Sequence, residues 1–394
     1  MKNQKQLVDA LYDKLPQGTK KMVDRSVSEI VSAKKKNGNV VVVTGSGPNL
    51  HEGVTTLIAE LVKKEIIDGV TTSSAVVAHE MAGVLDKVKR VDGKKLGFSS
   101  DILPRGDIFE ATLMPSRLLD QLKTEMLIDI NLINKVLAAE GNIIIKAAGN
   151  MGYPMGLRTE MLAKEILFVA NERGLPFEAV AGAGADERTI IGAARRRSIP
   201  CLVTVPQLIG GGMVGIAIAD TISIAERTAK IAQMMESADV IIESAVALTQ
   251  EIHDGPFEIY TGHGIWSRWE GYPTYSLADK VLIRIDLDPN LERAWELEKQ
   301  SSEVQKAIDE GAPKTKAFDI PFRMEMSGFA RLEKSIPVVG DIGAIWPIIA
   351  DRVSRALNIT LDFMSYPQQT PEGQEMREWI VENIQPVDKR KLYS

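Results

Sequence analysis

Two histidines, a glycine-rich turn and a few well-placed acids are the groups through which this chain could do chemistry. His79 and Glu80 are neighbours in "TTSSAVVAHEM", at an expected strand-to-helix junction. A histidine there contacts a ribose or works as acid and base near neutral pH, or else caps a helix. His263 stands in "YTGHGIWSRW" beside Trp266, Arg268 and Trp269, in a loop suited to closing over a ligand or packing on a neighbouring subunit. Asp286 and Asp288 close an apolar run in "RIDLDPN". An acid at a strand end commonly binds a ribose hydroxyl, so Asp286 is assigned to a ligand. Asp288, before Pro289, is assigned to a helix cap. Asp186, Glu187 and Arg188 in "AGADER" could orient a substrate carrying both amine and carboxylate, and Asn150, ending "NIIIKAAGN", joins them as a substrate contact. The four histidines lack the short spacing of a zinc site, so no metal is expected.

The densest signal is "NVVVVTGSGPNLHEG". Glycines let a backbone approach a ligand, and N–H groups at a helix start favour an anion. Thr44, Gly45, Ser46, Gly47 and Asn49 are therefore candidate dinucleotide contacts, with Thr72 and Ser73 at the end of the next strand. The ordinary G-x-G-x-x-G rule is not met. Leu50 takes the place of the third glycine, and no acid follows the second strand to hold a ribose. The bland alternative is a tight turn that needs glycine torsions.

These residues need a scaffold, and the chain alternates accordingly. Val40–Val43 form a continuous β-branched run, the pattern of a strand covered on both faces. Further apolar runs follow at 70–74, 142–150, 177–184, 201–205, 239–245, 280–289 and 336–343, separated by helical stretches. This predicts an α/β fold with a doubly wound, mostly parallel, Rossmann-like sheet of about seven strands. Polar or glycine-rich turns recur at successive strand ends, as if an extended ligand lay across the sheet. The segments 92–117, 253–279 and 301–335 break the rhythm and read as long inserted loops. Residues 1–38 read as an N-terminal helical segment, 39–357 as the nucleotide-binding domain and 358–394 as a helical tail.

Composition sets bounds. The chain has 394 residues and a formal net charge of −6, which argues against a nucleic-acid or anionic-membrane surface. Cys201 is its one cysteine, so an internal disulfide and a multi-cysteine metal site are excluded. No apolar run is long enough to span a bilayer, and the amphipathic start is too polar for a signal peptide. A soluble, cytoplasmic protein is expected.

Four stretches carry a family resemblance. They are "VVTGSGPNLHEG" with "IIDGVTTSSAVVAHEM", then "RGLPFEAVAGAGADE", then "ADTISIAERTAKIAQMMESADVIIESAVAL", and "KVLIRIDLDPNLERAWELE" closed by "VVGDIGAIW". Over about residues 39–350 the chain resembles the NAD-binding domain of archaeal ornithine cyclodeaminase-like proteins, the lysine-oxoglutarate reductase/saccharopine dehydrogenase bifunctional domain, within the deoxyhypusine synthase-like superfamily. The resemblance implies bound NAD (or NADP), a small-molecule substrate and a homo-oligomer. It also matches His79-Glu80 to a family pair and places Asp341 near the cofactor. The expected function is NAD-dependent chemistry on a small amino acid or amine. A non-catalytic nucleotide- or metabolite-binding module is one alternative. A deoxyhypusine synthase-like aminoalkyl transferase is another, but "GIWSRWEG" offers Arg268 where that chemistry needs a lysine, and arginine stays protonated.

Overall fold

The computed structural model describes residues 4–204, 208, 211–245, 279–287, 296, 306 and 334–393. Helices α1 (Gln4–Asp13) and α2 (Gln17–Lys35) lead into β1 (Val40–Thr44). A short α3 (Pro48–His51) and α4 (Val54–Lys63) carry the chain to β2 (Gly69–Thr72) and α5 (Ser74–Met81). Next come β3 (Leu85–Asp92), β4 (Ile108–Leu113), α6 (Ser116–Glu125), α7 (Ile130–Ala138) and β5 (Gly141–Ala147). Then α8 (Met155–Arg173), α9 (Phe177–Gly184) and α10 (Ile190–Arg197) precede β6 (Cys201–Val203). Helices α11 (Met213–Ala219) and α12 (Ile224–Ser237) precede β7 (Val240–Ser244), β8 (Val281–Leu287) and β9 (Ser335–Val339), and two helices, Ile342–Ala356 and Pro371–Asn383, follow.

Six strands make one parallel sheet in the order β6-β2-β1-β7-β8-β9. In chain order these are its third, second, first, fourth, fifth and sixth strands, the Rossmann arrangement, whose direction of winding reverses between β1 and β7. All five residues of β1 are buried. Burying each of its four valines stabilises the fold by about 1.5–3 kcal/mol, which explains a run with no polar alternation. One face packs on α2, α4 and the Ile342–Ala356 helix around buried Trp346, and the other on α12 through Ile231 and Met235.

The expected seven-strand sheet is therefore corrected to six. The run 142–150 does form a strand, but β5 belongs to a separate antiparallel sheet of order β4-β3-β5, inserted between the second and third strands of the main sheet. The run 177–184 is helix α9, because Phe177, Val180, Ala181 and Gly184 fall at helical spacing and are buried together. Segment 92–117, expected as an irregular loop, contains β4 and the start of α6. The loops 253–279 and 301–335 lie almost wholly outside the described residues. Among the described residues, no helix is long and apolar enough to cross a membrane.

Candidate functional site

The turn after β1 sits at the point where the sheet reverses. Gly45 is buried, Ser46 half-buried and Gly47 exposed. Gly47 has φ +68° and ψ −121°, a conformation essentially confined to glycine. A Cβ placed on it would meet nothing within 4 Å, so the turn opens onto free space. Behind it, the Thr44 hydroxyl and that of Thr72 at the end of β2 are buried without a hydrogen-bond partner among the described residues. Buried hydroxyls are normally satisfied. Together they form a polar rim that fits the backbone-and-hydroxyl cradle of a dinucleotide.

Asn49 has a different task. Its Oδ1 accepts from Ser244 Oγ at 2.6 Å, and that hydroxyl accepts from Trp346 Nε1 at 2.7 Å. All three groups are buried. They clamp the first turn to the end of β7 and to the helix Ile342–Ala356, fixing the width of the crevice. Ser73 caps α5 by accepting from Val76 N, and Asp341 caps the Ile342–Ala356 helix by accepting from Ala344 N.

Backbone strain gathers on the same rim. Ala245, just past β7, has φ +80°, and Asp286 has φ +70°. Asp286 is the extra residue of a bulge, because Ile285 pairs with Val338 and Leu287 with Val339. Bulges and strained residues concentrate beside binding sites, where they re-aim a side chain.

Helix α5 leaves the end of β2, so its exposed face borders this rim. A cleft of about 610 Å³ lies between α5, the turn 148–153 and Gly211–Gly212. His79, Asn150, Tyr153 and Glu160 line it. His79 Nδ1 is 2.8 Å from the carbonyl of Ala148. A carbonyl can only accept, so Nδ1 carries the hydrogen and Nε2 is left as the basic nitrogen. Burial lowers the His79 pKa, Lys146 adds to that, and the Ala148 bond opposes it. The imidazole is thus neutral and able to take a proton near pH 7.

Positive groups crowd the neighbouring corner. Burial first, then the proximity of Arg377, His79 and Lys146, which opposes a further positive charge, holds His51 below its ordinary pKa. Arg377 donates to the carbonyl of Ile145 at 2.6 Å, and Lys146 pairs with Glu110 at 2.7 Å. Glu52, facing this corner, has its pKa raised by burial, against two bonds from Gln368 that lower it.

The structure separates the other assigned residues. Glu80 lies in the last turn of α5 instead of at a junction, fully buried, and its two oxygens accept from Ile190 N at 2.7 Å and Ile191 N at 3.0 Å. It caps α10, and burial pushes its pKa up to about 7. Asp186 and Arg188 grip each other at 2.8 Å and tie down Gln385 N and the carbonyl of Asn383, with exposed Glu187 alongside. They line a different pocket, with Arg117 and Arg390, and are not joined to His79. His263 lies outside the described residues.

Two residues that sequence reasoning missed shape the cleft and the crevice beside it. Asp86 Oδ2 accepts from Gly149 N and Thr112 Oγ1, holding the turn 148–153 from behind. Burial pushes its pKa up to about 6. Ser244 is the second. Asp86 sits beside Lys87 in the charge-rich strand Leu85–Asp92, so nothing in the sequence singles it out, and nothing marks Ser244 as a clamp.

No family model matches the chain, and no curated protein sequence does. Among solved structures, a conserved LOR/SDH protein from Methanococcus maripaludis S2 aligns at TM-score 0.43 and 11% identity, over 88% of this chain and 70% of that one. AgrE, in a ternary complex with ornithine and NAD+, aligns at 0.43 and 11%, over 88% of this chain and 34% of its own, so this chain spans about a third of that protein. A deoxyhypusine synthase from Entamoeba histolytica aligns at 0.40 and 12%, over 89% and 92%. None of these reaches the similarity at which a family, activity or substrate carries over.

Proposed function

We propose that the chain is an NAD-dependent enzyme acting on a small amino acid or amine. The dinucleotide would lie across the β1–β7 crevice, with the substrate in the cleft beside His79. The observation that carries this reading is the reversal of strand order between β1 and β7, at a glycine turn that opens onto free space. Ligands of open α/β sheets lie in that crevice.

The residues on the rim divide the work. Backbone N–H groups of Ser46 and Gly47 would receive a phosphate, and the Thr44 and Thr72 hydroxyls would meet the polar part of the cofactor. Asp286, aimed by its bulge, would hold a ribose. A bound NAD (or NADP) supplies the hydride acceptor, since the protein's task in such enzymes is to bind and orient. In the cleft, Glu160 would attract a substrate ammonium and Asn150 would orient its carboxylate. Unprotonated His79 Nε2 would receive the proton that the amine gives up. The basic corner of Lys146 and Arg377 favours an anionic group nearby, as in an amino acid.

The test is native mass spectrometry of protein purified without added ligand, followed by titration with NAD and NADP. Cofactor release, or binding of added cofactor, is expected. Incubation with amino acids and amines, starting with ornithine and arginine, is then expected to generate reduced nicotinamide. Failure to bind either dinucleotide would overturn the reading. Tight binding with no reduction by any amine would leave a binding module in its place.

A further inference from the structure

The two outer edges of the small antiparallel sheet are finished differently. On β4, the outward backbone groups are used: Thr112 N donates to the carbonyl of Tyr153, and Tyr153 N to that of Glu110. On β5, the pairing of Ala148 N with the carbonyl of Val84 sets the alternation, so even-numbered residues face β3 and Gly141, Ile143 and Ile145 face outward. Of their outward groups only the carbonyl of Ile145 has a partner among the described residues, the guanidinium of Arg377. Ile143 is 59% exposed and Ile144 36%. Natural edges of this kind are blunted by proline, by charge or by a covering element, and Gly141–Ile145 carries neither proline nor charge.

We propose that β5 pairs with the β5 of a second copy, antiparallel about a two-fold axis at Ile143, joining two three-stranded sheets into one of six strands. The outward parity allows the two Ile143 residues to exchange both backbone bonds. Self-pairing about an odd-numbered residue also decides the charges. With Ile143 at the axis, Lys146, which pairs with Glu110 inside its own subunit at 2.7 Å, stands opposite the partner's Glu140 on the same face of the sheet. Acid and base thus alternate across the joined sheet. With Ile144 at the axis, Lys146 would face the partner's Asn142 and the match would be lost. Arg377 ends the ladder at Ile145, so pairing is confined to Gly141–Ile145. The proposal does not depend on which ligand the chain binds.

Sedimentation velocity and a crosslink test this. The wild-type chain is expected to sediment as a dimer, and Ile143→Lys, at an exposed position, as a monomer with unchanged circular dichroism. Ile143→Cys is expected to form a disulfide-linked dimer under mild oxidation, because opposed residues of a bonded pair have Cα atoms about 5.5 Å apart, within reach of a disulfide. Leu127→Cys, at an exposed position in the turn before α7, is expected not to crosslink. This second readout stands even if the lysine variant fails to fold. Glu140→Arg is expected to weaken the dimer several-fold at low salt, with the difference shrinking as salt rises. A monomeric wild type would overturn the proposal. So would a dimer that survives Ile143→Lys and shows no crosslink through Ile143→Cys.

Discussion

At the scale of single residues, two groups behind the cleft make opposite demands on pH. In the proposed reaction His79 must be neutral to accept a proton, and burial, which lowers its pKa, favours that form. Replacing it with glutamine keeps a donor toward the carbonyl of Ala148 but removes the base. His79→Gln is therefore expected to lower kcat by roughly 10²–10⁴, with dinucleotide affinity unchanged by titration calorimetry. Asp86 shows the converse. Its folded pKa of about 6 lies above the ordinary 3.8, so the folded state holds more protons than the unfolded one between those values. Its contribution to stability is therefore most favourable below pH 3.8 and is lost as pH rises through about 6. Asp86→Asn keeps an acceptor for Gly149 N and places an amide where Oδ1 lacks a partner among the described residues. The variant is expected to be up to about 3 kcal/mol more stable than wild type above pH 7. Urea melts at pH 5 and pH 8 check this. A variant that is no more stable at pH 8 would show that Asp86 is not strained by its burial.

Elements explain which assignments reached the site. The turn after β1 was legible, since four β-branched residues followed by two glycines leave little else to form. What that turn does with Asn49 was not legible, because its partners, Ser244 and Trp346, lie far along the chain and meet it only when the sheet is assembled. Ser244→Ala would orphan both Asn49 Oδ1 and Trp346 Nε1. It is expected to cost about 1–3 kcal/mol in thermal or urea melts and to weaken dinucleotide binding by misplacing the turn. Normal affinity in a destabilised variant would confine the clamp to stability. Helix α9 was misread as a strand because its alanines and glycines look apolar at any period. Only the positions of Phe177 and Val180 distinguish the two, and the buried Glu178–Arg227 pair shows the helix anchored in the core. Gly47 is unsuited to a test by substitution. Any side chain there adds about 1–3 kcal/mol of backbone strain, which confuses folding with binding.

For the molecule as a whole, the parallel sheet was readable strand by strand, whereas its interruption was not. Runs 201–205, 239–245, 280–289 and 336–343 fell where β6, β7, β8 and β9 form. The sequence does not show which sheet a strand joins, and β5 joined the other one. Long-range placement likewise removed Asp186 and Arg188 from the cleft, since their partners near Gln385 come from the far end of the chain. The crevice between β1 and β7 lies on the main sheet and the free edge on the small one, and the turn 148–153 that follows β5 joins the two. Saturating NAD is expected to raise the melting temperature of both wild type and Ile143→Lys, since a ligand that binds only the folded state stabilises either one by mass action.

The order of strands also sets a timetable. Roughly 130 residues separate Thr72 from Cys201, so at ordinary synthesis rates β2 waits on the order of 10 s for the neighbour it needs on its outer side. β1 waits longer still for β7, the strand that completes the crevice. The antiparallel unit, whose strands lie close together in the chain, closes in the meantime with cheaper loops. On a ribosome it is complete while the larger sheet is still a single pair of strands, so a nascent chain has an assembled β5 edge before the crevice between β1 and β7 exists.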